Sequence, residues 1–177
     1  MRRLNFPPNV EIFGMTIQAF IENLQGEDTA PIVHKYGLHL LEPNTWHPVD
    51  NLLKAFNEIY EGPNGSTNMV AIGLRIGETI PLQPEIDSLP DALMDWNRLY
   101  QSLHRNADVG LIVCEKVSDT HYKITLTDLY PDDFSYGIVY GYARRFLPKS
   151  TPYRVYYDPD EPNRNEGGER SIIHVTW

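Results

Sequence analysis

The sequence predicts an α+β fold, in which an N-terminal helical layer packs on an antiparallel sheet of about four strands, with one helix between two hairpins. Two observations support this fold class. Apolar residues recur at helical spacing up to His104, and the pattern changes to period two after Asn106. Runs of helices followed by antiparallel strands are typical of α+β domains and not of doubly wound sheets.

The helical layer contains five predicted helices. The fifth is the best marked, because Ser88 and Asp91 resemble a capping box and the apolar residues after them share one face. The helices cover residues 9–24, ended by Gly26; residues 30–36; residues 49–60; a stretch from an N-cap at Ser66 or Thr67 to Pro81; and residues 88–104.

The sheet is predicted from four segments with strand character. Residues 111–117 and 122–126 form the first hairpin, and a helix over residues 134–147 follows. The second pair of strands covers residues 153–157 and 171–177, joined by a long polar loop at residues 158–170. Because a lone hairpin is not stable in water, we expect helices to cover one face of this sheet.

The composition fits one globular domain spanning residues 1–177. The formal net charge of −9 argues against binding to nucleic acids, since phosphate recognition requires clustered Lys and Arg. No apolar run approaches the roughly 20 residues of a membrane span. The start of the chain lacks the apolar stretch of a signal peptide, and Cys114 is the only cysteine. We therefore expect a cytoplasmic protein without an internal disulfide.

Three segments resemble a group of bacterial domains that is related to the 4-vinyl-reductase small-molecule-binding domain. They are His104 to Gly110, Tyr130 to Gly141, and Ile173 to Trp177. That group belongs to a superfamily that includes the haem-nitric-oxide-binding (H-NOX) domains and the TRAPP vesicle-tethering subunits. The resemblance covers residues 46–177 and leaves residues 1–45 as a helical N-terminal part outside it. It implies a cavity between helices and sheet that holds an apolar ligand, an acyl chain or haem.

This chain departs from each relative in one respect. Residues 163–171 lack the cysteines that the 4-vinyl-reductase type often carries there. H-NOX domains hold haem through a helical histidine, for which His104 is a counterpart, and a Tyr-x-Ser-x-Arg motif, which is absent from residues 122–126 and the following turn. Cys114 lies in mid-strand and does not match the lipidated cysteine of TRAPP subunits.

His104 is the leading candidate for a functional residue. It would either ligate haem iron or hydrogen-bond a ligand, or it would simply cap the carbonyls at a helix C-terminus beside Arg105. Gly137 and Gly141 would either leave room for a ligand or allow close packing, and the aromatic residues would line a pocket or an ordinary core. The predicted ligand-binding set is Trp96, Tyr100, His104, Tyr136, Gly137, Tyr140 and Gly141.

The sequence favours a binding protein over an enzyme, although an enzyme stays open. Asp132 and Asp133 precede Phe134, where capping of a helix is expected rather than acid–base catalysis. The six histidines include no pair at the i, i+4 spacing of a zinc protease, so no metal site is predicted. Motifs for a nucleophile, a phosphate loop or a dinucleotide are absent from the sequence.

We therefore expect a stand-alone small-molecule-binding or sensor domain that holds an apolar ligand between helices and sheet. Signalling would pass through a homodimer or a partner protein. One alternative is a haem-based gas sensor with His104 as the axial ligand, and another is a ligand-free dimeric scaffold.

Overall fold

The computed structural model describes residues 7–22, 24 and 30–177 and confirms the α+β fold class. The helices in these residues are α1 (Gly14–Glu22), α2 (Ala30–Lys35), α3 (Asp50–Glu61), α4 (Gly65–Thr79), α5 (Leu89–Ser102) and α6 (Asp132–Phe146). The strands are β1 (Glu11–Phe13), β2 (Trp46–Pro48), β3 (His104–Arg105), β4 (Ile112–Ser118), β5 (His121–Leu126), β6 (Arg154–Tyr157) and β7 (Ser171–Thr176). None of these helices is both long enough and apolar enough to cross a membrane.

Four strands form the predicted antiparallel sheet in the order β4-β5-β7-β6. Tyr122, Ile124 and Leu126 alternate with polar neighbours along β5 and are buried. Together with Ile173 and Val175 they form the inner face of the sheet, which packs toward the helices. Helix α6 lies between the two strand pairs in sequence, as predicted.

A second sheet was not predicted from the sequence. It is antiparallel and has the order β2-β1-β3. β1 lies within residues 9–24, which the sequence predicted as one helix, and β3 begins at His104, which the sequence placed at the end of a helix. Strands of two or three residues carry too little alternation to show a period of two. Gly26, the predicted end of the first helix, lies outside the described residues.

The predicted helix caps were partly right. Ser88 Oγ accepts a hydrogen bond from the Asp91 backbone amide, which confirms the start of α5. The cap predicted at Ser66 or Thr67 is wrong, because α4 begins at Gly65 after Asn64 in a left-handed conformation, with φ of 59°. The capping role predicted for Asp132 is also wrong, because Asp132 is the first residue of α6 and its carboxylate binds Arg164 instead.

Helices α4 and α6 cross at very short range through four glycines. Gly73 and Gly77 of α4 face Gly137 and Gly141 of α6. A Cβ atom on Gly141 would lie 2.8 Å from the Cα of Gly77 and would overlap the Leu74 carbonyl oxygen. The two glycine pairs, each four residues apart, therefore meet each other, and this contact fixes the two helices that border the interior site.

Candidate functional site

An apolar cavity of about 60 Å³ lies inside the helical layer. One water molecule needs about 10–15 Å³ of such volume, so this space suits a ligand of a few heavy atoms. Among the described lining residues, the four-stranded sheet contributes only Ile112. The cavity therefore lies deeper among the helices than the sequence predicted. The side chains around it are Thr16, Ala19, Phe20, Leu52, Phe56, Ile76, Ile80, Trp96, Leu99, Tyr100, Leu103, His104, Ile112, Asp128, Tyr130, Phe134, Ser135, Ile138 and Tyr142.

His104 is buried at the wall of this cavity with both ring nitrogens hydrogen-bonded. Its Nδ1 lies 2.8 Å from the Tyr100 carbonyl oxygen, and its Nε2 lies 2.9 Å from the Tyr130 hydroxyl. A carbonyl oxygen only accepts, so Nδ1 carries the proton and Nε2 accepts from Tyr130. Burial lowers the pKa of His104 and raises that of Tyr130, so both groups are neutral at pH 7.

Tyr100 and Trp96 reach the same cavity from successive turns of α5. The Tyr100 hydroxyl donates to the Val109 carbonyl at 2.6 Å and accepts from the Leu129 backbone amide at 3.3 Å. These bonds tie α5 to the segments before β4 and after β5. Trp96 packs edge-on against Tyr142, with ring centroids 6.0 Å apart. The structure thus places Trp96, Tyr100 and His104, three of the predicted ligand-binding residues, around one cavity.

The other predicted ligand-binding residues lie away from the cavity. Gly137 and Gly141 face α4 and leave no free volume for a ligand. The Tyr136 hydroxyl donates to the Val155 carbonyl at 2.7 Å, and Tyr140 packs against Tyr153 beside β6. These residues follow a different face of α6 from Phe134 and Ile138, which do line the cavity. The sequence pattern indicates that these glycines and tyrosines are buried. It does not show which face of α6 meets the cavity.

Several lining residues were not predicted. Phe20, Phe56 and Phe134 pack on one another, with the Phe20 and Phe56 rings stacked at 4.4 Å. Phe56 stood out in the sequence only as a core residue at helical spacing. The Thr16 hydroxyl is buried at the cavity without a hydrogen-bond partner among the described residues. Because buried hydroxyls are normally satisfied, Thr16 Oγ1 is a candidate to hydrogen-bond a molecule in the cavity.

A buried charged network borders the cavity at Asp128 and extends to Arg164 in the loop after β6. The Arg164 guanidinium donates to Asp132 Oδ1 at 2.6 Å, to Asp128 Oδ1 at 3.2 Å and to the Tyr130 carbonyl at 3.1 Å. Ser171 donates to the other Asp132 oxygen, and Ser135 donates to Asp128. Burial raises the pKa of Asp128 to about 6, although the shared Arg164 charge opposes this shift.

The described residues offer little nucleophilic or metal chemistry at this cavity. Cys114 is half-buried in β4, and burial raises the pKa of its thiol to about 12, so it is not a thiolate at pH 7. No group of three or more metal-ligating side chains occurs in the described part of the chain.

Comparison with known proteins was informative only at the level of structure. No profile of a known protein family matches the sequence, and no curated protein matches it. An oxygen-binding H-NOX domain related to soluble guanylate cyclases is 16% identical, with a TM-score of 0.68 over 92% of this chain and 93% of that chain. An H-NOX structure solved to probe haem distortion is 16% identical, with a TM-score of 0.68 over 93% and 95% of the two chains. A variant of the T. Tengcongensis H-NOX is 16% identical, with a TM-score of 0.65 over 92% and 96%.

This chain has the H-NOX fold. The match extends over residues outside 46–177, so the N-terminal helices are part of this fold rather than an addition to it. The Tyr-x-Ser-x-Arg motif that the H-NOX resemblance implies is absent from residues 122–126 and the following turn, where Pro131, Asp132, Asp133 and Phe134 follow Tyr130.

Proposed function

We propose that this chain is a sensor domain that binds a small molecule in the cavity beside His104. The observation that carries this proposal is the geometry of His104. A backbone carbonyl accepts from its Nδ1, and its unprotonated Nε2 accepts from the Tyr130 hydroxyl at the cavity wall. Ligand pockets are typically apolar with a few oriented polar groups, and this cavity has that composition. A bound molecule would act by favouring one packing of the surrounding helices.

The size of the cavity restricts the ligand. An engineered apolar cavity of roughly 150 Å³ binds benzene, and that volume is more than twice the volume found here. A diatomic or similarly small neutral molecule fits this arrangement, with Thr16 and the His104–Tyr130 pair as its polar contacts. A larger ligand requires displacement of aromatic side chains such as Phe56 or Phe134.

Haem is the second candidate occupant, and the structural comparison favours it more than a ligand bound without haem. The arrangement of His104 supports it as well, because metal-binding histidines commonly donate their other ring N–H to a backbone carbonyl. The site as packed does not fit haem, however. The cavity is too small for a macrocycle, the Asp128 carboxylate borders it, and Arg164, the buried cation nearby, is already bound to Asp128 and Asp132.

The first experiment distinguishes the two occupants. The full chain is purified with haem supplied and analysed by UV–visible absorption and native mass spectrometry, beside the variants His104→Ala and His39→Ala. His39 is an exposed histidine and serves as the matched control. A Soret band lost only in His104→Ala would establish haem and overturn the haem-free proposal. Protein that stays colourless under these conditions supports binding without haem.

The second experiment tests the haem-free cavity directly with xenon, which enters small apolar cavities. We expect xenon to shift methyl NMR signals of Ile76 and Ile138, which line the cavity. The variant Ala19→Leu fills part of this space and should abolish those shifts. An unchanged spectrum of the wild-type chain under xenon pressure would contradict a ligand-accessible cavity.

The dimeric scaffold stays a prediction. Light scattering over a range of protein concentrations tests it, because a scaffold that works as a dimer must associate. A monomer at all concentrations, together with saturable xenon binding, would support the sensor proposal over the scaffold.

A further inference from the structure

A pair of histidines on the outer face of the four-stranded sheet lies far from the cavity lining. His121 begins β5 and His174 lies in β7, 53 residues later. The register pairs Lys123 with His174, so His121 lies diagonally across the ladder from His174 on the same face. His121 Nε2 and His174 Nδ1 face each other at 2.8 Å.

The ring of His174 is fixed in place from two further directions. Its Nε2 lies 2.9 Å from Asp158 Oδ2, and Tyr156 of β6 stacks on the ring with centroids 5.2 Å apart and planes inclined by 16°. The carboxylate accepts a hydrogen bond from Nε2–H, so the lone pair of a neutral His174 is on Nδ1 and points at His121. A carboxylate that holds the distal nitrogen of a histidine is the usual outer partner of a metal ligand.

We propose that His121 Nε2 and His174 Nδ1 chelate one divalent transition-metal cation of the Cu²⁺ or Ni²⁺ type. The observed 2.8 Å separation is that of the hydrogen bond between these two nitrogens, so metal binding requires the His121 ring to turn until both lone pairs meet one cation. Imidazole nitrogens suit Cu²⁺ and Ni²⁺, and Cu²⁺ binds most tightly among the divalent first-row metals.

The remaining coordination positions would be taken by water or by an external ligand. The described residues contain no cluster of three or more metal-ligating groups, so the protein supplies two nitrogens and one outer-sphere carboxylate. Lys123 lies beside the pair along the ladder and has Glu115 as its ion-pair partner at 3.7 Å. Without metal, His121 donates its Nε2 proton to His174. When the metal binds, His121 Nε2 gives up this proton and Nδ1 takes one up from solvent. A neutral histidine pair therefore binds the metal without net release of a proton.

The test is a Cu²⁺ titration of the full chain followed by electron paramagnetic resonance and calorimetry. We expect one tightly bound equivalent with coupling to two imidazole nitrogens, and at least tenfold weaker binding in His121→Ala. His39→Ala is the matched control, since His34 and His39 form a second pair with ring centroids 4.2 Å apart. Equal binding in His121→Ala and wild type, or loss of binding in His39→Ala, would overturn the proposal.

Two further measurements leave both metal-binding histidines in place. In the wild-type chain, substoichiometric Cu²⁺ should broaden amide NMR signals of β5 and β7 around residues 121 and 174 before any others. Asp158→Asn should weaken binding by about 10–100-fold while both ligands remain, because the carboxylate orients His174. Broadening centred elsewhere, or an unchanged affinity in Asp158→Asn, would contradict the proposed site.

Discussion

At His104, one hydrogen bond to the backbone fixes which ring nitrogen carries the proton. The bond from Nδ1 to the Tyr100 carbonyl satisfies a carbonyl at the end of α5, which is one of the alternative roles that the sequence left open. The same bond leaves Nε2 as the acceptor of the Tyr130 hydroxyl, so a ligand that reaches Nε2 must displace that hydroxyl. Capping and the proposed contact with a ligand are compatible in one geometry, and the residue type alone does not separate them.

Protonation of His104 should destabilise the fold. Burial lowers its pKa in the folded protein, so below the ordinary value near 6.5 the unfolded chain binds more protons than the native chain. The stability from neutral His104 is present above that value and is lost as the pH falls. Urea titrations at several pH values between about 7.5 and 5 test this. As the pH falls, the free energy of unfolding of wild type should decrease by up to about 1.4 kcal/mol per pH unit more than that of His104→Gln. Parallel curves would contradict this.

Asp128 should have the opposite pH dependence. Its pKa is raised to about 6 in the folded protein from an ordinary 3.8, so between these values the native chain holds a proton that the unfolded chain has lost. This contribution to stability is greatest at low pH and decreases as the pH rises through 6. Relative to Asp128→Asn, the wild-type free energy of unfolding should fall by roughly 2 kcal/mol between pH 4 and 7. A constant difference between the two proteins would refute the shift.

At the scale of elements, the crossing of α4 and α6 shows how small residues set a helix–helix distance. Gly73, Gly77, Gly137 and Gly141 allow backbone atoms of the two helices to touch. Each glycine costs up to about 1 kcal/mol in helix propensity relative to alanine, so close packing must outweigh that cost. In each helix the two glycines are four residues apart in the sequence, but only the tertiary structure shows that the two pairs contact each other.

Alanine at this crossing should separate the helices. In Gly141→Ala, the new methyl group would overlap the Leu74 carbonyl oxygen, and backbone cannot move aside as a side chain can. We expect a loss of at least about 2 kcal/mol in the free energy of unfolding, despite the better helix propensity. Gly62→Ala is the control, because its methyl group would lie 3.2 Å from the nearest oxygen, that of Glu58. Equal midpoints of unfolding for Gly141→Ala and wild type would disprove the close contact.

At the scale of the whole molecule, Arg164 joins two distant parts of the chain. It lies in a short 3₁₀ helix within residues 158–170, the loop that connects β6 to β7. Its guanidinium binds the carboxylates of Asp128 and Asp132, at the turn between β5 and α6. The loop predicted only as long and polar therefore carries a buried cation that closes the turn beside the cavity.

Removal of this cation should be costly. Arg164→Met leaves Asp128 and Asp132 buried without their shared partner, and breaking a buried pair in this way costs roughly 3–5 kcal/mol. Arg170→Met in the same loop is the matched control, because its pair with Glu161 is exposed and contributes at most about 1 kcal/mol. Chemical denaturation of the three proteins measures both effects. Similar losses in the two variants would contradict a structural role specific to Arg164.

The sequence by itself determined the α+β class, the four-stranded sheet, the start of α5 at Ser88 and the helical face that Trp96 and Tyr100 share. These features depend on local periodicity and on turn and cap chemistry, which are written in neighbouring residues. Only the tertiary structure decided the three-stranded sheet, the α4–α6 glycine contact, the partners of Arg164 and the pairing of His121 with His174. Each of these depends on residues far apart in the chain, and neither strand register nor the choice of helix face is fixed by local pattern.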